Sequence, residues 1–293
     1  MTFDDNAKIG GGKVSKRGRN VGIGVGGGIG VLAIFLISQF LGVDLSGIVG
    51  AGGSGGGTAE ESPIANCETG ADANSDIDCR MEAAAESLDA YWAEEAPALG
   101  ASYVTPDFYL FTEATQTGCG NATSAVGPFY CPPDQSLYLD TTFYDELRSR
   151  FGATGGPLAQ MYVVAHEWGH HIQNLTGSIQ ASQDGTTGEA SGSVRVELQA
   201  DCYAGAWTAA ASTQTTAASD VPLLKPVTQA EIADALDAAA AVGDDRIQQA
   251  SGGEVDPEAW THGSSAQRQK WFEAGYQGGP AACDTFSVAA AAL

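Results

Sequence analysis

Basic residues are scarce in this chain of 293 residues. It holds 13 lysines and arginines against 36 aspartates and glutamates, so its formal net charge is −23. Five of the basic residues lie within the first 20 positions, which leaves the rest of the chain more acidic still. An acidic surface of this kind repels nucleic-acid phosphate and anionic lipid headgroups. We therefore expect no nucleic-acid partner.

The chain also lacks a C-x-x-C pair, the spacing typical of structural zinc sites. Its six cysteines are spread over the sequence at Cys67, Cys79, Cys119, Cys131, Cys202 and Cys283. An even number without metal-site spacing predicts disulfides and an oxidising compartment. Pairing by sequence proximity predicts the bridges Cys67–Cys79, Cys119–Cys131 and Cys202–Cys283, although six cysteines permit other connectivities.

One long run, residues 21–43, contains no charged residue. It is long enough to cross a bilayer as a helix, which predicts a single-pass anchor with the lipid bilayer as a partner. The basic residues precede the run and Asp44 follows it, so the positive-inside rule predicts a cytoplasmic tail at residues 1–20 and an extracellular domain after the run. A cleaved signal peptide is the alternative, but its apolar region would be shorter and closely followed by a small-residue cleavage site.

Residues 44–61 are rich in glycine and predict a flexible linker, which leaves one folded domain at residues 62–293. Apolar spacing and turn residues predict a mostly helical α+β domain with a small sheet. The expected helices cover residues 77–95, a short stretch ending near 150, 157–175, the region 229–249 and 265–276. The expected strands cover residues 107–111 and 137–140. Nothing in the sequence indicates the oligomeric state.

Histidine is rare as well, and three of the four histidines fall in one short segment, H-E-W-G-H-H. On a helix, residues four apart lie on one face, so His166 and His170 can present ring nitrogens to one metal ion. Glu167 would then project beside the metal. The segment fits the H-E-x-x-H pattern of zinc hydrolases, a short signature that also occurs by chance.

A second helical pattern follows 27 residues after His170, in the segment E-L-Q-A-D. Its two acids, Glu197 and Asp201, again lie four apart. A catalytic zinc takes three protein ligands and keeps one position open, so Glu197 is the expected third ligand. Asp201 is expected to accept a hydrogen bond from a ligand histidine and fix its orientation.

These two motifs together resemble the gluzincin branch of the zincin metallopeptidases. The segments G-P-F-Y-C-P, V-E-L-Q-A-D-C-Y-A-G and H-G-S-S-A-Q-R-Q-K-W-F further resemble the neutral zinc metallopeptidase family found in bacterial membranes. The resembling segments span residues 118–286, with a weaker resemblance back to about residue 76. The resemblance implies a zincin-like metallopeptidase domain that binds one Zn²⁺ per chain and hydrolyses peptide or protein substrates.

The expected mechanism gives Glu167 the role of general base toward a zinc-activated water. The developing oxyanion needs a further hydrogen-bond donor. His262 is the first candidate, since gluzincins often supply such a donor from a downstream histidine, and Tyr203 is the second. A purely local role beside a helix cap is the alternative for His262. His171 points away from the metal and is expected to pack or to support a ligand.

Two other function classes stay open on the sequence. The first is an inactive, zinc-containing ectodomain that binds or scaffolds; the presence of Glu167 argues against it, because a structural metal needs no adjacent base. The second is a zinc amidase acting on non-peptide or cell-wall substrates, which the sequence neither supports nor opposes. The peptidase is the interpretation that accounts for most of the motif residues.

Overall fold

A mixed β-sheet and a group of packed helices form the structure, which is a computed structural model describing residues 2–17, 61–181, 185–250, 252 and 254–293. The strands are β1 Val14–Arg17, β2 Glu61–Pro63, β3 Asp107–Leu110, β4 Ala114–Thr117, β5 Gly120–Thr123, β6 Phe129–Cys131 and β7 Ser136–Leu139. The α-helices are α1 Gly70–Ser75, α2 Ile77–Glu95, α3 Phe143–Phe151, α4 Pro157–Thr176, α5 Ser178–Ala181, α6 Gly192–Ala210, α7 Gln229–Ala241, α8 Asp244–Ala250 and α9 Ser265–Gly278.

The main sheet has five strands in the order β2-β1-β3-β7-β6. The three central strands run parallel, and the two outer strands, β2 and β6, pair antiparallel to their neighbours. Strands β4 and β5 form a separate antiparallel pair. The prediction of a mostly helical α+β fold with a small sheet is confirmed.

Helix α4, which carries the H-E-W-G-H segment, begins and ends as the sequence predicts. Gly156 is the N-cap, Pro157 occupies the first turn, and Gly177 ends the helix with a φ of 83° that suits glycine. All residues from Leu158 to Gln173 are buried, so the helix is enclosed on every side rather than on one stripe. It packs against α2, α6, α7 and the sheet, and its polar side chains therefore face other protein groups.

Helices α6 and α9 approach so closely that their backbones are in contact. A Cβ placed on Gly205 would lie 2.0 Å from the carbonyl oxygen of Phe272, and one placed on Gly275 would lie 1.8 Å from that of Cys202. Both glycines lack the side chain that would keep the helices apart. This approach brings α9 up against the helix that carries Glu197.

The helical region predicted at residues 229–249 is interrupted in the structure. Helix α7 ends at Ala241 and α8 begins at Asp244, with Gly243 between them. A Cβ at Gly243 would lie 2.5 Å from the backbone nitrogen of Ser265, so the chain turns there to let the segment before α9 come close. Alanine-rich composition predicted the helices but not this tertiary contact.

Residues 2–17, which the sequence assigned to a separate cytoplasmic tail, are part of the folded domain. Strand β1 lies inside the sheet, between β2 and β3. Phe3 and Val14 are completely buried. Charge counting could not reveal this packing, because the apolar residues of the segment are few and widely spaced.

The predicted membrane run, residues 21–43, and nearly all of the predicted linker, residues 44–61, lie outside the described residues. Only Glu61 of that linker is described, and it begins β2. Within the described ranges, no helix combines the length and the apolar character needed to span a bilayer.

The three disulfides pair as sequence proximity predicts. The bridges Cys67–Cys79 and Cys119–Cys131 each close a short loop, and Cys202–Cys283 joins residues 81 positions apart. The long bridge connects α6 to the segment after α9. It therefore fixes the C-terminal part of the chain to the helix that carries Glu197.

Candidate metal centre

Three side chains from α4 and α6 converge on one point. His166 Nε2 lies 3.1 Å from His170 Nε2 and 3.2 Å from Glu197 Oε2, and His170 Nε2 lies 3.6 Å from Glu197 Oε1. The three residues are buried and form a group that could hold a metal ion. The contact between α4 and α6 brings the two halves of this group together. Gly169 permits this contact, because a Cβ at its position in α4 would lie only 3.0 Å from Ala200 Cα in α6.

The other nitrogen of each histidine ring faces an acceptor. His166 Nδ1 lies 2.8 Å from Asp201 Oδ1, and His170 Nδ1 lies 2.8 Å from Gln173 Oε1. The Gln173 amide is oriented by its Nε2, which donates to the carbonyl oxygen of Val196 at 2.7 Å. Both Nδ1 atoms therefore carry a proton, and with both rings neutral, as metal ligation requires, both Nε2 atoms would present lone pairs to the same point.

This donor set fits a zinc ion. Ligands about 2.0–2.1 Å from a tetrahedral zinc lie roughly 3.3 Å from one another, close to the separations of His166, His170 and Glu197. With both imidazoles neutral, two ring lone pairs and one carboxylate at such distances would repel each other unless a cation lay between them. Two neutral histidines and one carboxylate also leave the open coordination position that catalytic zinc sites keep.

Behind His166 lies a buried polar network centred on Asp201. Arg268 of α9 donates from Nε to Asp201 Oδ2 at 2.7 Å and from a terminal nitrogen to Asp201 Oδ1 at 2.9 Å. The Tyr162 hydroxyl donates to the same carboxylate. Burial raises the pKa of Asp201, but the charges of Arg268 and His166 outweigh it and hold the pKa below its ordinary value. Asp201 thus stays ionised and keeps the His166 Nδ1 proton in place.

In the metal-free chain the two ligand histidines differ in protonation. Burial lowers the pKa of His166, but the charge and hydrogen bond of Asp201, with Glu197, outweigh it and raise the pKa to about 9. Burial lowers the pKa of His170 to about 4. Burial also disfavours the ionised form of Glu197, yet the two histidines hold its pKa below its ordinary value. Glu197 is therefore available as a carboxylate ligand.

Glu167 lies next to the ligand group without belonging to it. Burial raises its pKa to about 7, with the charge of Glu197 adding to the rise and that of His166 opposing it. The backbone N–H of Tyr130, in strand β6, donates a hydrogen bond to its carboxylate. A carboxylate with a pKa near neutrality can both accept and return a proton, as a general base must.

His262 is held by Asp244 at the start of α8, near enough to Glu197 for the two side chains to interact through their charges. Asp244 Oδ2 accepts hydrogen bonds from the backbone N–H groups of Thr261, His262 and Gly263 at 2.6–3.0 Å, and Oδ1 lies 3.0 Å from His262 Nδ1. Burial lowers the pKa of His262, but the charge of Asp244 outweighs it, and the charge of Glu197 adds to the net rise. The helix cap is supplied separately by Ser264, so the His262 ring has no capping role.

The remaining predicted residues have packing positions. The Tyr203 ring packs edge-on against Trp92, with centroids 5.1 Å apart, and its pKa is raised by burial and then by Asp284. This contact places the Tyr203 ring in the core, and its oxyanion role stays a prediction. His171 bonds the Val104 carbonyl oxygen at 2.6 Å through Nε2 and the Tyr130 hydroxyl at 3.0 Å through Nδ1. It joins α4 to β6.

Sequence reasoning missed three groups at this centre. Gln173 follows His170 by three positions in H-H-I-Q, so helical spacing could have identified it as a partner of that ring. Arg268 lies 67 residues after Asp201, so this pair could not be named before α9 and α6 were known to touch. Asp244 carries no local signal that connects it to His262, which lies 18 residues further on.

Comparison with known families agrees with this geometry. The family model described as "Putative neutral zinc metallopeptidase" matches residues 2–286. The chain belongs to this family. The matched range of the zinc metallopeptidase family contains every residue of the metal centre, and it also reaches back to the first residues of the chain.

Relatives of similar length occur in bacteria. Uncharacterized protein Rv2575 of Mycobacterium tuberculosis H37Rv is 54% identical over 227 residues, which cover 77% of this chain and 76% of the relative. Uncharacterized protein YpfJ of Escherichia coli K12 is 37% identical over 266 residues, 89% of this chain and 86% of the relative. No solved structure matches the chain.

Proposed function

We propose that this protein is a zinc-dependent metallopeptidase that hydrolyses peptide bonds in peptide or protein substrates. The observation that carries the proposal is the convergence of His166, His170 and Glu197 beside a carboxylate, Glu167, that is not itself a ligand. One zinc ion per chain would be held by these three side chains. When bound, it would supply a Lewis acid that activates water and polarises the carbonyl of a scissile bond.

The protein's own groups supply the proton transfers. Glu167, with a pKa of about 7, takes the proton of the attacking water and returns it to the leaving amine. His262, oriented by Asp244 through Nδ1, donates a hydrogen bond to the oxygen on which negative charge develops. A metal site that served only structure would need neither group.

The sheet supports a peptide as the substrate. Strand β6 ends the described sheet on the side of α4, and its Tyr130 N–H already reaches Glu167. An extended peptide can add to such a strand edge through main-chain hydrogen bonds, which would place its carbonyl groups along the metal centre. This arrangement favours peptides over other amides.

We further propose that the enzyme works outside the cytoplasm and is attached to the membrane through residues 21–43. Three disulfides among the described residues support an oxidising compartment, and the uncharged run supports contact with lipid.

Cleavage of a peptide library by the detergent-solubilised full chain tests the proposal. We expect hydrolysis that a chelator abolishes and zinc restores, and about one zinc per chain by elemental analysis. Glu197→Ala should lose both zinc and hydrolysis, whereas the exposed Glu273→Ala of α9 should keep both. Full zinc content in Glu197→Ala would show that a residue other than Glu197 is the third ligand. Zinc binding by the parent without cleavage of any peptide would indicate a binding ectodomain.

A further inference from the structure

The first described segment, residues 2–17, is fixed to the domain by backbone pairing. Val14 is the register partner of Phe108 in β3, and Arg17 is the register partner of Glu61 in β2. Before β1, the backbone N–H of Ile9 donates to the Glu68 carbonyl at 3.0 Å. Strand β1 is therefore an interior strand of the catalytic sheet, with a neighbour on each side.

Side chains of the domain depend on this segment. The carboxylate of Glu82 in α2 is almost completely buried and accepts the backbone N–H groups of Lys13 at 2.7 Å and Val14 at 2.9 Å. A buried carboxylate without partners is very costly, so α2 is built to receive β1. Lys13 also forms an ion pair with Asp89 at 2.5 Å.

The end of β1 is held equally firmly. The Arg17 guanidinium lies 3.5 Å above the centre of the Tyr109 ring, and it donates to the Gln116 carbonyl at 2.9 Å and the Tyr138 hydroxyl at 3.0 Å. It also forms an ion pair with Glu61, with nitrogen and oxygen 3.1 Å apart. The chain thus leaves the described domain at Arg17 and rejoins it at Glu61, side by side on adjacent strands.

This pairing constrains the 43 residues between Arg17 and Glu61, which include the uncharged run 21–43. Adjacent strands lie about 4.8 Å apart, whereas the two flanks of a helix that crosses a bilayer lie roughly 30 Å apart on opposite sides. One crossing of the membrane is incompatible with both ends lying in one sheet. A second crossing would pass Asp44 and the glycine-rich stretch through lipid, where backbone groups need partners.

The sequence of the run agrees with this constraint. Its first ten residues are mainly glycine, and the densely apolar part is confined to residues 31–41. An apolar stretch of about 10–14 residues is more typical of interfacial or re-entrant segments than of spanning helices. The family model also begins at residue 2, so the β1 segment belongs to the sequence that the family shares.

We propose that residues 2–17 lie on the same side of the membrane as the metal centre. The inference rests on the membrane attachment proposed above, but not on the peptidase activity. It replaces the single-pass topology that the positive-inside rule predicts with one in which β1 completes the catalytic sheet.

Cysteine labelling in intact cells tests the topology. Asn6→Cys reports on the β1 segment and Val104→Cys on the catalytic domain, since both positions are exposed. The full-length variants are first shown to sediment with membranes and to need detergent for release; release without detergent overturns the attachment. With a membrane-impermeant maleimide, we expect the two cysteines to be labelled to the same extent.

Labelling of Val104→Cys in intact cells, with labelling of Asn6→Cys only after permeabilisation, would overturn the proposal and restore the single crossing. If neither is labelled until the cells are opened, the same-side arrangement stands and the extracellular address fails.

A second measurement addresses the pairing of β1 with β2. Lys16→Cys with Ser62→Cys joins register partners of β1 and β2, so a non-reduced digest should contain the linked peptides at monomer mass. Two free thiols, or a bridge between two chains, would contradict it.

Discussion

At the residue scale, the centre depends on groups that never touch a metal. Asp201 holds the proton of His166 on Nδ1, and Arg268 holds Asp201 in its ionised form. The ligand nitrogen is thereby directed at the metal position before any ion binds. Residues that hydrogen-bond to metal-ligating histidines commonly raise metal affinity by roughly 10–100-fold.

Asp201→Asn should therefore lower zinc affinity by about 10–100-fold, because an amide can turn its NH₂ toward His166 and no longer fixes the tautomer. Competition with a zinc chelator of known affinity measures the change. Asp220→Asn, at an exposed position, is the matched control and should leave the affinity unchanged. Equal affinities for the two variants would assign Asp201 a role in folding only.

His262→Ala should lower kcat by about 10²–10³-fold, the effect typical of losing one oxyanion donor, while zinc content and KM change little. Asp244→Asn should show a smaller fall in kcat, because the ring stays in place but loses its charged partner. Steady-state kinetics with metal analysis of the same samples separates these effects. A parental kcat in His262→Ala would remove this histidine from the mechanism.

The ligands could be predicted because helical spacing alone places His166 beside His170 and Glu197 beside Asp201. Asp201 could be predicted as a supporting residue because it lies one turn from Glu197, and helical spacing could have identified Gln173, which lies on the same helix as His170. Pairs that join distant segments, such as Asp244 with His262, depend on how helices cross. Tyr203 is close in sequence to Asp201, yet its ring packs edge-on against Trp92, a contact that sequence spacing does not predict.

At the scale of elements, the position of Glu197 relative to the histidines depends on close helix contacts. Gly169 lets α4 approach α6, and Gly205 with Gly275 lets α9 approach α6 from another side. Sequence spacing does not single out these glycines, because each lies within a helix, where glycine is otherwise unfavourable, and its role depends on the neighbouring helix. The prediction of helix ends was more successful, since Pro157 and Gly177 act locally.

Gly275→Ala should destabilise the protein by about 1–3 kcal/mol or more, because its methyl group would overlap the Cys202 carbonyl and force α9 away from α6. Chemical denaturation of the solubilised chain measures the loss in free energy of unfolding. Glu273→Ala, exposed on the same helix, controls for side-chain replacement in α9. Similar stabilities for the two variants would show that the helices can separate at no cost.

At the scale of the whole molecule, strand β1 connects the stability of the domain to its first residues. Burial raises the pKa of Asp89, but hydrogen bonds from Lys13, Thr105 and Tyr103 outweigh it and lower the pKa below 3.8. A carboxyl group whose pKa is lowered by folding stabilises the folded state at pH values above its pKa in the unfolded chain. This contribution is lost as the pH falls through the pKa of the folded state.

Asp89→Asn should therefore reduce the loss of stability on acidification. We expect the parent to lose more free energy of unfolding than the variant as the pH falls below about 4, and the two to differ most near neutrality. Unfolding curves over a pH series measure this. Parallel pH dependence in both proteins would mean that the contact between Lys13 and Asp89 contributes nothing to folding.

The fold class and the three disulfides of the whole molecule could be read from composition, periodicity and spacing. The inclusion of residues 2–17 in the sheet could not, because a short strand rich in basic residues resembles a membrane-flanking tail. The place of strand β1 in the sheet becomes evident only from its contacts with the carboxylate of Glu82 and the ring of Tyr109.

Glu167→Gln tests the central claim most directly. The amide keeps the shape of the side chain but cannot accept the proton of water, so zinc content should remain about one per chain while peptide hydrolysis falls to background. Elemental analysis and a peptide-cleavage assay on the same purified sample provide both readings. Cleavage at the parental rate by zinc-loaded Glu167→Gln would contradict the account.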